Sequence, residues 1–210
     1  MRFLLPLLAA ACLAPAAAQD TIDRCRIRPG TQCLNANLRG ADLAKADLSR
    51  AAFTRSNLSG AKLAEARLDR ANLERVDFQR ADLTQASLER ADLRGANLRG
   101  ATLVKANFSA ADLNGATLSE ADLSGATLAG TNLWGARMQS AKLRGADLER
   151  ADLRAANLTG ANLEGADLRG ARLEKADLEG ANLTGAQLEK ATFRFANVAG
   201  CTGCPKPDAR

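Results

Sequence analysis

Two residue types that most often carry enzyme chemistry are missing from this chain, which has no histidine and no tyrosine. Acid–base work would then fall to its 24 Asp and Glu residues, but these are spread at regular intervals in a way that solvates a surface rather than forming a pair beside a nucleophile. No catalytic constellation, cofactor motif or metal-ligand spacing is legible, so the sequence is read as non-enzymatic, with no cofactor. The thiols are the remaining reactive groups. Cys12 lies in an apolar leader, and Cys25, Cys33, Cys201 and Cys204 follow it. An even count beyond a leader suggests disulfides, and four cysteines allow three pairings. Cys201-Thr202-Gly203-Cys204 has the spacing of a redox motif. Nothing around it supplies the βαβ frame or helix N-terminus that would tune such a thiol, so a structural staple is the better reading.

What positions these groups is a repeat. Residues 36–200 read as 33 unbroken five-residue units, such as Ala36-Asn37-Leu38-Arg39-Gly40 and Ala41-Asp42-Leu43-Ala44-Lys45. We call the five positions the small, Asx, Leu, fourth and corner sites. The Leu site departs from Leu only at Phe53, Phe78, Phe108, Met138, Phe193 and Val198, all apolar; the small site is Ala except at Ser56, Val76 and Thr131. Five residues of α-helix turn by about 500°, which would smear the leucines around the cylinder. In a straight strand an odd spacing would throw successive leucines onto opposite faces. Within one unit, however, the small and Leu sites lie two apart and share a face. A chain that turns a corner after each unit brings every such pair inward, and coils stacked on one another pair their backbone groups. The repeat therefore predicts a solenoid.

The A-(D/N)-L-x-x unit resembles the pentapeptide-repeat family over nearly all of the chain beyond its leader. The resemblance implies an all-β fold, a right-handed quadrilateral parallel β-helix of about eight coils, with twenty residues per coil. At about 4.8 Å between strands such a rod is roughly 40 Å long. The two cysteine pairs then stand at opposite ends, and a disulfide needs Cα atoms within about 7 Å. This implies Cys25 with Cys33 and Cys201 with Cys204, and excludes a four-cysteine zinc site within one molecule.

The expected organisation is a signal peptide over residues 1–18, an N-terminal cap over 19–35, the solenoid over 36–200 and a C-terminal cap over 201–210. Arg2, the apolar stretch after it and Ala16-Ala17-Ala18 form a secretory signal cut after Ala18. A membrane anchor would need a longer apolar run, and a lipoprotein signal using Cys12 is the other alternative. The expected location is thus periplasmic or extracellular, with no membrane span. A formal net charge of +5, of which Arg2 supplies one, and 3% aromatic residues give no reason to expect nucleic-acid binding. Arg24, Arg26 and Arg28 are read as solvated cap residues.

Outward positions hold whatever specificity exists. Glycine occupies one of ten corner sites from Lys45 to Arg90 but thirteen of 22 from Gly95 to Gly200, which predicts corners that differ between the halves, since φ > 0 suits glycine. Arg50, Arg70 and Arg90 stack twenty apart as a ladder beside Asp69 and Glu89; such a ladder could grip an anionic polymer, but the adjacent carboxylates favour a screened, self-paired surface. Trp134 follows Leu133, points to solvent and stands on the same side as Arg94, Arg154 and Arg194. It is read either as a contact hot spot or as a packing residue in cation–π contact with Arg154. Phe195 is expected beneath the tail. Sequons at Asn57, Asn107, Asn157 and Asn182 follow from the repeat itself. The function expected is an exported structural or protein-binding scaffold with an unknown protein partner, its surface formed by Arg94, Trp134, Arg154 and Arg194. The alternative, implied by some family members, is a DNA-like binder of a DNA topoisomerase; export and positive charge argue against it.

Overall fold

The Asx site of each unit forms a parallel β-bridge with the residue twenty positions on, from Gln32–Ala52 to Asn182–Thr202. A register of twenty with a corner every five residues gives four sides. The chain is a right-handed quadrilateral parallel β-helix of about eight coils. The computed structural model describes residues 21–22 and 24–205. The expected leader over residues 1–18, its cleavage after Ala18 and the Cys12 alternative lie outside the described residues.

Backbone hydrogen bonds explain the unit. The Leu-site N–H donates to the Asx-site carbonyl of the next coil (Leu38 to Asn57, 2.7 Å), and the Asx-site N–H donates to the small-site carbonyl of the preceding one (Asn57 to Ala36, 2.9 Å). Corner N–H groups reach the fourth-site carbonyl of the next coil (Gly40 to Ser59, 2.9 Å), and each turn closes from the small site back to the Leu site (Ala41 to Leu38, 3.0 Å). Between stacked coils this repeating pattern leaves the fourth-site N–H without a backbone acceptor. An Asp or Asn two residues earlier supplies one: Asp47 Oδ1 accepts from Ser49 N at 3.0 Å and Asn132 Oδ1 from Trp134 N at 3.2 Å. This Asx turn is the physical reason for Asp and Asn at the second site.

The corners do not differ between the halves. Every corner residue from Asn35 to Gly200 has φ between +53° and +70°, arginine and glycine alike. Positive φ at the third residue of each turn alone is the type II pattern. Stacking is what overrides local preference: the corner N–H and the turn bond are both fixed by the coil geometry, so a residue that would otherwise avoid this region is held in it.

Leucines and alanines fill the interior, and Phe53, Phe78, Phe108 and Met138 are fully buried among them. Within residues 36–200 two small sites carry buried hydroxyls, and both are satisfied. Ser56 Oγ accepts from Ala36 N at 2.9 Å and donates to the Cys33 carbonyl at 2.6 Å, bridging groups that other turns pair directly. Thr131 Oγ1 donates to the Phe108 carbonyl at 2.8 Å.

At the first coil, β1 (Thr21–Ile22) and β2 (Cys25–Arg26) form a small antiparallel hairpin. Ile22 and Ile27 pack partly buried against the core. Cys25 and Cys33 are disulfide-bonded, Cα atoms 5.4 Å apart, and Cys33 occupies a Leu site in an additional unit at residues 31–35. At the other end Cys201 is bonded to Cys204, Cα atoms 5.8 Å apart. Gly203 crosses Leu183 so closely that a Cβ there would lie 2.6 Å from the Leu183 carbonyl. Phe195 is not beneath the tail. It is 71% exposed, because the tail crosses the side of Leu183 and Thr202 while Phe195 stands at an outward corner of another side.

Candidate interaction surface

One side of the rod carries, at successive fourth sites, Leu34, Thr54, Glu74, Arg94, Asn114, Trp134, Arg154, Glu174 and Arg194, each twenty residues from the next. The turn geometry directs these side chains outward, because the preceding Leu points in. Trp134 is 48% exposed. Trp134 and Arg154 stand in adjacent coils, joined by the hydrogen bond from Gly135 N to the Arg154 carbonyl at 2.9 Å. Arg94 lies two coils from Trp134, and Arg194 two coils beyond Arg154.

Two of the arginines are already engaged. Arg94 donates through Nε and Nη2 to the two oxygens of Asp92 at 2.8 and 2.6 Å, with Glu74 at 3.8 Å. Arg154 grips Asp152 in the same way at 2.7 and 2.5 Å. These bidentate bonds hold the Asp92 and Asp152 carboxyls below the ordinary carboxylate range and raise both guanidiniums further above neutrality. Trp134 therefore does not receive Arg154 over its ring. Among the described residues the cation–π pair is Arg194 with Phe195, the guanidinium 4.6 Å from the ring centre. Asp-Leu-Arg at 92–94 and 152–154 is the sequence signal for this pairing, since the Asx and fourth sites flank an inward Leu and share the outer face.

Leu34 is the residue that sequence reasoning missed. It is 56% exposed and belongs to the same column as Trp134, through the unit at residues 31–35. Phe195 stands at the edge of the same side, so the three exposed large apolar side chains among the described residues lie on this side or at its border. The arginine ladder elsewhere also differs from expectation. Arg90 lies 3.6 Å from Glu89, but Arg50 and Arg70 have no ion-pair partner among the described residues. Asp69 is taken instead by the Ser87 hydroxyl, the Glu89 N–H and Arg67.

What this side offers chemically is three exposed apolar side chains spread over eight coils, along a column where Arg94 and Arg154 are paired with Asp92 and Asp152. Among the described residues no group of His, Cys, Asp or Glu is placed to hold a metal ion, and no helix is long and apolar enough to cross a membrane.

A family model described as pentapeptide repeats matches in eight overlapping copies spanning residues 31–202. Among solved structures the chain is similar to HetL, a pentapeptide repeat protein involved in heterocyst differentiation regulation from the cyanobacterium Nostoc sp. strain PCC 7120. The two are 36% identical over 87% of this chain and 90% of HetL, with a TM-score of 0.65. It is also similar in fold to QnrB1, a plasmid-mediated fluoroquinolone resistance protein, at 19% identity over 81% of this chain and 90% of the other, with a TM-score of 0.66. No curated protein sequence matches the chain.

Proposed function

The chain belongs to the pentapeptide-repeat family, and from that premise we propose that it is an exported, non-enzymatic scaffold that binds a protein partner along the side carrying Leu34, Arg94, Trp134, Arg154 and Arg194. The observation that carries this reading is the placement of Leu34 and Trp134 on that one side, with Phe195 at its edge. Exposed large apolar groups in line on a rigid face are where a partner gains most from desolvation. Arg94 and Arg154, with their charge satisfied by Asp92 and Asp152, present flat guanidinium planes beside them that cost less to desolvate than free cations. Leu34 and Trp134 are five coils apart, about 24 Å at the usual strand spacing, so the partner contacts a length of the rod rather than a point. A DNA-like mode of binding would call for a negative surface, and the formal net charge is +5.

The test places a photo-crosslinking amino acid at position 34, at position 134 and, as a control, at Ser124 on the opposite side. The same partner should be captured from 34 and 134 and not from 124. Trp134→Ala should weaken that capture while leaving the melting temperature within about 2 °C, as for a surface substitution. Equal capture from all three positions, or a much lower melting temperature for Trp134→Ala, would sink the reading. Export is tested by fractionation, which should recover from the periplasm or the medium a mature chain beginning at Gln19.

A further inference from the structure

The ridge formed by Arg50, Arg70 and Arg90 lies along the edge of the rod between two sides. All three hold φ near +57° (58°, 57° and 56°), a conformation that glycine adopts freely and that serves thirteen of the later corners. Arginine at these sites is held against its backbone preference, and in the folded chain Arg50 and Arg70 gain no ion pair or hydrogen bond through the side chain among the described residues. That corner conformation is shared by the other non-glycine corners, and what distinguishes this ridge is three arginines stacked in consecutive coils.

Beside the ridge runs a shallow groove lined by Pro29, Gly30, Asp47, Ser49, Arg67 and Asp69. Glu89 also lines it and lies 3.6 Å from Arg90, whereas Asp47 and Asp69 are tied to other groups, so Arg50 and Arg70 are the ridge cations left unpaired among the described residues. Asp47 accepts from the Ser49 N–H and hydroxyl at 3.0 and 2.6 Å and lies 3.4 Å from Arg67; Asp69 accepts from Ser87 and Glu89 N. The Ser49 hydroxyl bond, with its N–H, holds Asp47 below the ordinary carboxylate range, so it stays charged.

We propose that this ridge and groove bind a linear acidic polysaccharide, one bearing a carboxylate on each sugar ring, laid along the rod axis. Coil stacking spaces the guanidinium stems by about 4.8 Å, a regular row that meets a regular row of carboxylates with bidentate bonds. The groove carboxylates then accept hydrogen bonds from the sugar hydroxyls, which supply donors along the other edge of the chain. This pairing of cations with acceptors is what separates a sugar acid from other polyanions. A bilayer or a phosphate backbone would bring further anions onto Asp47, Asp69 and Glu89. Among the described residues the exposed aromatics, Trp134 and Phe195, stand two and five coils beyond Arg90 along the rod, so neither lies against the ridge to stack a base.

Electrophoretic retardation in gels containing polygalacturonate tests the proposal on the full chain. Wild-type protein should be retarded, and the retardation should fall as salt is raised. The triple variant Arg50→Gly, Arg70→Gly, Arg90→Gly should bind about tenfold more weakly or worse, yet melt at a higher temperature because glycine suits all three corners, so misfolding does not account for the loss. Arg80→Gly, Lys105→Gly, Lys175→Gly removes the same charge from other corners and should keep most of the binding, as should Trp134→Ala. The proposal is overturned if wild-type protein is not retarded, if both triple variants lose binding equally, or if single-stranded DNA or phosphatidylglycerol vesicles bind the ridge more tightly than polygalacturonate.

Discussion

Ala155→Gly is expected to stabilise the rod, and Gly130→Ala to destabilise it, by similar amounts. Both residues are exposed corners, at φ +54° and +64°. A Cβ built at Gly130 meets nothing within 4 Å, so neither exchange disturbs packing, and the two differ from a core substitution in acting through the backbone alone. Holding a Cβ in the left-handed region costs about 1–2 kcal/mol. The greater freedom of glycine in the unfolded chain offsets about 0.4–1 kcal/mol of that. The difference is ~0.5–1 kcal/mol in each direction, which for a chain of this size shifts the melting temperature by about 1–4 °C. Thermal unfolding followed by circular dichroism reads it directly. If Ala155→Gly melts lower than wild type, unfolded-state entropy outweighs corner strain. The view that stacking holds the non-glycine corners against their own preference would then be wrong, and with it the expectation that the arginine-to-glycine variants gain stability.

Leu118→Asp should destabilise by about 4 kcal/mol or more, since it places an unpaired carboxylate at a fully buried site; a soluble variant with wild-type melting would contradict the inward assignment. Gly203→Ala forces a methyl group onto the Leu183 backbone, and should strip exchange protection from the Leu183 amide, which donates to the Thr202 carbonyl at 2.7 Å; unchanged protection would refute the close crossing. Acid should weaken the fold in one direction only. Asp92, Asp152 and Asp167 have carboxyls lowered by the side-chain bonds of Arg94, Arg154 and Arg169, so what they contribute is complete above the ordinary carboxylate pKa, about 3.9, and is lost as pH falls through the lowered values. The melting temperature should hold from neutral pH to about 5 and drop below about 4; a flat profile to the most acidic buffers would count against these pairs.

The interior was legible because it depends on spacing: a Leu and an Ala two apart, every five residues, admit one way of being buried together. The corners were misread for the opposite reason. Arginine and glycine differ in local preference, and nothing local reveals that the N–H of a corner such as Arg70 is claimed by the Glu89 carbonyl of the next coil at 2.8 Å. The surface was half legible. Trp134 and its column could be placed by counting in twenties, whereas Leu34 was hidden by a unit whose Leu site is Cys33 and whose small site is Thr31. The engagement of Arg94 and Arg154 was written in Asp-Leu-Arg, but reading it requires knowing that residues flanking an inward Leu meet on the outside. The freedom of Arg50 and Arg70 was not written at all, since it depends on which neighbour Asp69 chooses.

A register of twenty built from steps of five gives the rod a phase. Loss or gain of one unit leaves every Leu and Ala facing inward, so the core tolerates it, but each outward residue beyond that point rotates by a quarter turn about the axis. Deleting residues 101–105 would carry Trp134 off the side of Leu34 without emptying the core, whereas deleting residues 101–120 would shorten the distance between them and keep them aligned. Length changes in this molecule are thus sorted by their remainder on division by twenty: folding responds to multiples of five, while surface alignment survives only whole coils. A chain of this kind can exchange one binding face for another by slipping a single unit, with no substitution at any contacting residue.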